Sequence, residues 1–453
     1  METFKSALIA AAMLAVMALT QRSWADAPGA YGIASRAASK AYLNMPRSAH
    51  GKMPALLSQT GAFTDLRTMT PAPGLIPYDL IVPFWSDGAA KVRYMALPRS
   101  RQIRFTPDGE WTFPAGTVFV KTFELPTDEA HPQTRRRLET RLLVRDANGG
   151  VYGVDYKWRP DNTDADLLAG SLIENIAIRR ADGSIREQPW YYPSRENCLT
   201  CHNSHTSGVL GPKTRQLNRT FAYPSGVSDN ELRTLNHLHL LDTQLSEAQL
   251  QVLPKLAALS DESRSIEDRA RSYLDANCGH CHRPGGTVAY FDARFSTPLA
   301  KQELIDGPIL INEGIDRPHV IAPHDIWRSI AYMRINTDGD IRMPPIARET
   351  IDAQGVQVLR EWINSMPGKD VLGPPLISPD GGTFAKAVTV SLSSPDPGAQ
   401  IRYTLDGSVP GPQDMLYSGP ITVSGPTVVR ARAYKDGMTR SITSESVFIV
   451  GQQ

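Results

Sequence analysis

The sequence predicts a multidomain α+β fold with a β-rich N-terminal domain, a mainly α-helical middle domain and a C-terminal all-β sandwich. Three patterns in its 453 residues predict this order. Up to about residue 192, short runs of alternating apolar and polar residues lie between turn residues. Apolar residues then recur at helical spacing in residues 229–241, 246–259 and 266–277. From Pro374 onward, alternation returns between Gly and Pro turns, as in a small sandwich.

Composition and charge favour a packed globular protein without a nucleic-acid partner. Hydrophobic residues make up 41% of the chain and charged residues 21%. These fractions are typical of folded domains rather than of disordered chains. The formal net charge is +1, which gives no electrostatic basis for binding nucleic acid or an anionic membrane.

Residues 1–25 have the features of a secretory signal peptide. Lys5 supplies a positive start, residues 7–20 are apolar, and the tripeptide that ends at Ala25 fits the small-x-small cleavage rule. The apolar run is shorter than the ~20 residues of a membrane-spanning helix, so a retained N-terminal anchor is the weaker alternative. We therefore expect a periplasmic or secreted mature chain that begins near Asp26 and has no membrane span.

The N-terminal part divides into an extended lead-in, residues 26–57, and the β-rich domain, residues 58–192. Residues 116–123 and 141–145 alternate in polarity as half-buried strands do. Four of the seven tryptophans of the chain lie here, either within the β core or along a groove: Trp85, Trp111, Trp158 and Trp190.

Every cysteine of the chain lies in one of two C-x-x-C-H motifs. Their residues are Cys198, Cys201 and His202 in the first motif and Cys278, Cys281 and His282 in the second. Two thiols at this spacing can each bond one vinyl group of a haem, and the adjacent histidine then ligates the iron. The motifs predict two covalently attached c-type haems, with the two histidines as proximal ligands.

Two other interpretations of the cysteines are open. One zinc ion could bind both C-x-x-C pairs, although Cys201 and Cys278 are far apart for a zinc ribbon and the histidines would be coincidental. Disulfides or thiol redox chemistry would suit an exported protein. Covalent haem accounts for all six motif residues and agrees with the predicted export.

The two motifs lie in successive units. Residues 193–260 contain the first motif and a helical bridge, and residues 261–368 surround the second. Ser265 is the predicted start of a helix that ends at Cys278. A last helix is predicted to stop before Pro367.

This second unit resembles the small single-haem cytochrome c fold, in which the first and last helices cross over the haem. The resemblance rests on the C-x-x-C-H motif at the end of the first helix and on the aromatic residue in the last one. It makes Tyr273 and Trp362 the candidate crossing contact and implies a cytochrome c-like haem domain.

The sixth ligand of each haem iron decides its chemistry, because two strong axial ligands favour electron transfer and an open position favours reaction. For the second haem we predict Met343, in a Met-Pro loop, with Met333 and Met366 as competitors. For the first haem the alternatives stay open. They are an open or water-bound iron, or one of His237, His239, Met45, Met53, Met69 and Met95.

The string 269–286 is similar to the second haem site of a family of exported di-haem c-type cytochromes. Seven further segments match this family in order, at residues 57–63, 85–91, 113–118, 139–143, 210–213, 216–218 and 342–345. The resemblance therefore extends over most of the mature chain. It implies two covalent haems and no particular reaction.

Residues 373–450 resemble the immunoglobulin-like module at the C-terminus of chitobiases. The matching segments are residues 377–383, 398–408 and 430–438, with Gly411-Pro412 as a turn variant. The resemblance implies an immunoglobulin-like sandwich without a catalytic group. A structural or docking role and a carbohydrate-binding role are both compatible with it.

Together these features predict a periplasmic di-haem c-type cytochrome that transfers electrons through two covalent haems to a soluble redox partner. On this hypothesis the chain is an electron carrier rather than an enzyme. The alternative is a haem-dependent peroxidase or oxygenase that acts at an open first haem, with the second haem as relay. A third hypothesis is a binding protein that docks to carbohydrate or to a surface through residues 373–450.

Overall fold

The computed structural model describes residues 30–287 and 290–451. The predicted signal peptide, residues 1–25, lies outside the described residues. Within the described part, no helix combines the length and the apolar character that crossing a membrane requires.

The N-terminal part is β-rich, as predicted. Its strands are β1 (Phe63–Asp65), β2 (Thr70–Pro71), β3 (Ile76–Pro77), β4 (Ala90–Ala96), β5 (Val118–Pro126), β6 (Arg135–Arg145), β7 (Val151–Trp158), β8 (Ala165–Leu167), β9 (Leu172–Arg179) and β10 (Ile185–Tyr192). Strands β3 to β8 form a six-stranded antiparallel sheet in which neighbours in sequence are neighbours in space. Strands β1 and β2 pair separately, and β9 and β10 form a hairpin.

The two faces of the six-stranded sheet have different environments, because successive side chains of a strand point to opposite faces. On one face Val120, Leu142 and Val154 lie side by side and pack against the lead-in. On the other face Phe119 and Leu143 belong to a second apolar cluster, which the helices after the first motif complete. This second face also borders the candidate site.

Three of the four N-terminal tryptophans are core residues, as one of the two interpretations predicted. Trp111, Trp158 and Trp190 are fully buried. Trp85 is half-buried, and its indole N–H donates to the carbonyl oxygen of Thr350 in the second unit. The β-rich part therefore contacts the second unit through this side chain.

The helical elements occupy the middle of the chain. They are α1 (Arg195–Cys201), α2 (Thr214–Leu217), α3 (Glu231–His237), α4 (Glu247–Gln251), α5 (Ile266–Asn277), α6 (Ile330–Ile335) and α7 (Ala353–Ser365). A short hairpin of β11 (Thr220–Ala222) and β12 (Ser228–Asn230) precedes α3. The two bridge helices, α3 and α4, are shorter than predicted. Helix α4 ends before Pro254, which could not continue the backbone hydrogen bonds of a helix.

The prediction of a mainly α-helical domain at residues 261–368 is too strong. Its helices α5, α6 and α7 have 12, 6 and 13 residues and are joined by long irregular segments. These segments are rich in Gly and Pro. Gly destabilises a helix because it loses more conformational freedom on folding than other residues. Pro has no backbone N–H to donate to a helical hydrogen bond. Helices α5 and α7 nevertheless enclose one apolar cluster.

Helices α5 and α7 meet through an aromatic residue, although not only at the predicted pair. Tyr273 and Trp362 belong to the same buried cluster. The closest approach is that of the Tyr273 ring to Gly355, where an added Cβ atom would lie 2.3 Å from a ring carbon. Gly355 is therefore required at the contact between the two helices.

The C-terminal part is all-β, as predicted. Its strands are β13 (Leu376–Ser378), β14 (Gly382–Phe384), β15 (Val388–Ser393), β16 (Gln400–Thr404), β17 (Met415–Leu416), β18 (Ile421–Val423), β19 (Thr427–Tyr434) and β20 (Ser444–Val450). They form a three-stranded sheet, β13-β15-β18, and a five-stranded sheet, β14-β20-β19-β16-β17. An apolar core lies between them.

One carboxylate joins this C-terminal module to the second unit. Asp316 forms ion pairs with Arg328 of its own unit and with Arg432 and Arg440 of the module, with N–O distances of 3.2 to 3.3 Å. Arg328 is buried and also donates to the carbonyl oxygens of Arg440 and Ser441. The module is thus packed against the second unit.

Candidate functional site

The first motif lies on a short helix against the six-stranded sheet. Ser194 caps the start of α1 through the backbone N–H of Asn197. The helix packs on β7, where an added Cβ on Gly153 would lie 2.6 Å from the Sγ atom of Cys198. Only a glycine therefore permits this approach of the first motif to the sheet.

A large cleft opens beside the first motif. Its volume is about 200 Å³, which is room for more than one water molecule. Cys198, Cys201 and His202 line it from one side, and Gly279 and His280 of the second motif from another. The sheet forms a further wall.

His202 is held as a neutral imidazole with one nitrogen available. Its Nδ1 atom lies 3.0 Å from the carbonyl oxygen of Gly208, to which the ring N–H donates. Burial lowers the pKa of His202 to about 4. The Nε2 atom of this tautomer keeps its lone pair, which is the form in which histidine binds metals.

The second motif follows the last turn of α5, as predicted. The backbone N–H of Cys278 donates to the carbonyl oxygen of Leu274 at 2.8 Å and so continues the helical pattern. His282 stacks on Phe291, with ring centroids 4.3 Å apart. Burial lowers its pKa to about 4, and its buried Nδ1 atom has no hydrogen-bond partner among the described residues.

The two motifs, distant in sequence, meet in space. One ligand atom from each of Cys201, His280 and Cys281 lies within 4.8 Å of the other two. Hydrogen bonds from Cys201 and then from His280 lower the pKa of the Cys281 thiol. The sequence predicts each motif by itself, and only the fold places them side by side.

His280 is a site residue that the sequence did not identify. As the residue before Cys281, it is by sequence position only a spacer of the motif. It is instead buried, lines the cleft of the first motif and contacts the ring of Phe84 at 5.4 Å between centroids. Only the position of the first motif in space could have shown this role.

Met343 lies in a loop that Arg348 holds in place. The Arg348 guanidinium is buried and donates to the carbonyl oxygens of Met343, Ile335 and Thr337, each at 2.7 Å. The backbone N–H of Met343 donates to the carbonyl oxygen of Arg334 at 2.9 Å. These contacts with Arg348 and Arg334 hold the loop in place.

The competing methionines of the second unit have other surroundings. Met366 packs against the apolar cluster that also contains Cys278, and Met333 lies within α6. Met343 and Met333 are both half-buried and belong to none of the apolar clusters of the described residues. Packing in the core thus sets Met366 apart from these two methionines.

The structure brings none of the ligands considered for the first haem into the cleft. His237 stacks on Tyr31 at 3.5 Å and bonds to the carbonyl oxygen of Ala34, and His239 is exposed beside Gln244. The four N-terminal methionines, Met45, Met53, Met69 and Met95, pack in or against apolar clusters. None of these six residues lines the cleft.

The sheet presents a row of charged side chains to the cleft. Arg93, Lys121, Arg141 and Asp155 are direct neighbours on four adjacent strands. The first three line the cleft. Burial and the neighbouring cations lower the pKa of Lys121 well below its usual range, and burial raises that of Asp155.

With this geometry established, the chain can be compared with known proteins. Residues 379–445 match the family described as Chitobiase/beta-hexosaminidase C-terminal domain. The C-terminal module carries this domain. No curated protein and no solved structure matches the chain. The comparisons therefore concern the C-terminal domain and none of the motif residues.

Proposed function

We propose that this chain is an exported di-haem c-type cytochrome that transfers electrons between two covalently bound haems and a soluble redox partner. The observation that carries the proposal is the meeting of two complete C-x-x-C-H motifs at Cys201 and Cys281. Two redox groups attached there would lie next to one another. Electron exchange between them would not need a further carrier.

The residues present fit two haems. In the first motif, Cys198 and Cys201 would form the thioether bonds, and His202 offers a neutral imidazole with Nε2 free. The glycine at position 153 leaves room for this helix against the sheet. When bound, haem would supply a one-electron redox centre.

The second motif fits in a different way. Cys278 and Cys281 would form the thioether bonds, and His282 is kept neutral by burial. We propose Met343 as a further ligand of this haem, because Arg348 and Arg334 hold its loop in place and its thioether lies outside the apolar clusters of the described residues. Thioether ligation raises the reduction potential of a haem.

Zinc fits less well than haem. A structural zinc site uses four ligands, and the described residues bring together three, Cys201, His280 and Cys281. Zinc would also leave Cys198 and Cys278 without a role. A disulfide between Cys201 and Cys281 would have the same consequence.

The cleft supports a second candidate function. No methionine and, apart from His202, only His280 among histidines lines it in the described part of the chain. An iron held by His202 would thus have an open side unless His280 reaches it. On this basis we propose, as the alternative, a haem peroxidase or oxygenase at the first motif, with the second motif as electron relay.

Covalent haem can be tested directly by haem staining of the denatured protein together with its intact mass. We expect two haems per chain after export in a host that matures c-type cytochromes. A chain without covalent haem would contradict both functions.

Carbon monoxide titration of the reduced protein separates the two functions. An electron carrier with two six-coordinate haems is expected to show no spectral change. A change at one haem would favour the enzyme. The same titration of C198A/C201A and C278A/C281A variants would identify which motif carries the reactive iron.

Ligation by Met343 has a matched control in the same unit. The M343A variant is expected to lose the sulfur-to-iron absorption band and to lower the potential of one haem. The M366A variant, which shortens a methionine that packs on the core, should retain both. An unchanged spectrum of M343A would contradict the assignment.

The C-terminal domain is proposed to have a structural or docking role. It is fixed to the second unit through Asp316 and has no residue in the cleft. Carbohydrate pull-down with the full chain, compared with a chain that ends before residue 373, tests docking to a polysaccharide surface.

A further inference from the structure

One cation at the cleft has no ion-pair partner. Five of the six charged groups that line the cleft are paired: Arg93 with Asp79, Arg141 with Glu139, Lys213 with Asp275 (both lining the cleft) and Glu110 with Arg283. Lys121 is different. It makes no ion pair or hydrogen bond with any described residue.

The surroundings of Lys121 concentrate positive charge. Arg93 and Arg141 lie directly beside it on the neighbouring strands. The Nζ atom of Lys121 lies 4.7 Å from the ring centre of Phe123, and the Arg141 guanidinium lies 4.5 Å from the same ring. The contacts of Lys121 are thus an aromatic ring and two further cations.

Such an arrangement is costly unless an anion completes it. Lys121 is half-buried, and the like charges beside it add repulsion. The carboxylate that acts on it electrostatically, Glu139, pairs with Arg141. Asp155 at the end of the row does not compensate Lys121 directly, because Arg141 lies between them. Both oxygens of Asp155 also lack hydrogen-bond donors.

We infer that Lys121, flanked by Arg93 and Arg141, binds a carboxylate group in the cleft beside the first motif. A carboxylate suits the site because it would accept from the ammonium and lie in the field of both guanidinium groups. The carboxylate would come either from the side chains of the first haem, which rests on the proposed function, or from a free small-molecule acid.

Acetate titration tests the free-acid source and does not depend on haem. The readout is the melting temperature of the full chain at constant ionic strength, with chloride as the reference salt. If a free acid binds, acetate raises the melting temperature of the wild type, and its affinity is at least tenfold weaker in K121M. The K121R variant keeps the response.

Redox titration tests the haem source. If a haem carboxylate occupies the site, acetate has no effect on the loaded wild type. K121M then shifts the oxidised-to-reduced ratio of one haem about tenfold toward the oxidised form, because a nearby cation is lost. Tenfold corresponds to about 59 mV for a one-electron couple.

The matched control is K157M. Lys157 lies on the same face of the sheet but outside the cleft and pairs with Glu174 at 3.0 Å. K157M should leave unchanged both the response of the melting temperature to acetate and the oxidised-to-reduced ratio of the haem. K121M is expected to fold, because it removes a half-buried charge that lies between two other cations.

Two results would overturn the inference. The first is a K121M variant that matches the wild type in both titrations. The second is a K121M haem that becomes high-spin while acetate has no effect on the wild type, since Lys121 would then bind iron rather than an anion. A chain without haem would refute the proposed function but leave the acetate titration informative.

Discussion

The same pentapeptide pattern lies in two different environments in this molecule. The first motif sits on the seven-residue helix α1, against a sheet face with three cations, beside a wide cleft. The second motif ends the twelve-residue helix α5, above an apolar cluster closed by α7. The first motif thus lies against charged side chains of the sheet, and the second lies on an apolar cluster.

The fold thus places the same C-x-x-C-H pattern in two different surroundings. If both motifs hold haem, as proposed above, the charged cleft would suit ligand binding and the apolar surroundings would suit electron transfer. Four predictions test the comparison, from the largest expected effect to the smallest.

Removal of either cysteine pair is expected to have the largest effect. C198A/C201A and C278A/C281A should each reduce covalent haem from two to one per chain, because the thioether bonds of one motif are lost. Pyridine haemochrome assay and intact mass measure this. A T200A variant alters only a spacer of the first motif and should retain two haems. Loss of both haems in either double variant would mean that the two sites mature together.

The apolar second unit should be most sensitive to cavity formation. W362A removes a buried ring from its cluster and should lower the free energy of unfolding by about 3–5 kcal/mol. Denaturant unfolding measures it. The exposed Ile351 gives the control, I351A, with an expected change within about 0.5 kcal/mol. A similarly small effect of W362A would show that the unit is not held by apolar packing.

The charged side of the molecule should make stability depend on pH. Burial raises the pKa of Glu231 from 4.5 to about 9. Between these values the folded state binds a proton that the unfolded state releases, so stability falls as pH rises. The loss is up to about 4 kcal/mol between pH 5 and pH 8.

The E231Q variant should reduce this pH dependence, because glutamine does not ionise. Unfolding curves at pH 5 and pH 8 measure the difference, and E247Q alters an exposed partner of Arg233 as the control. If the slope of stability against pH is the same in E231Q and the wild type, Glu231 titrates normally.

The smallest effect is expected for the contact between α1 and the sheet. G153A places a methyl group 2.6 Å from Cys198 Sγ and should cost about 1–3 kcal/mol, because backbone or helix must shift. It should also reduce haem at the first motif only. At Gly170 an added Cβ meets no atom within 4 Å, so G170A is the control. Equal haem loss at both motifs would contradict separate environments.

Much of the fold could be predicted from local patterns. Alternation identified strands β5 and β6, although β5 begins two residues after the predicted start at 116, and helical spacing with the Ser265 cap identified α5. The alternation predicted from Pro374 onward also agrees with strands β15 and β19. These signals are local, so neighbouring residues are sufficient to produce them.

What was missed depends on contacts between distant segments. Helices α3 and α4 are shorter than predicted, and residues 261–368 contain more irregular chain than predicted. The role of His280 depends on the cleft, and the isolation of Lys121 depends on the register of three strands. Spacing within one segment does not record such partners.

The ion pairs of Asp316 fix the orientation of the C-terminal domain relative to the second unit. Because three arginines from two domains share this carboxylate, the C-terminal domain cannot turn freely against the second unit. If this domain binds a surface, the second motif would therefore lie at a fixed distance and orientation from that surface. The same contact would then determine both where the domain binds and, on the proposed function, where electrons leave the second motif. An uncharged residue at position 316 would make the two independent of each other.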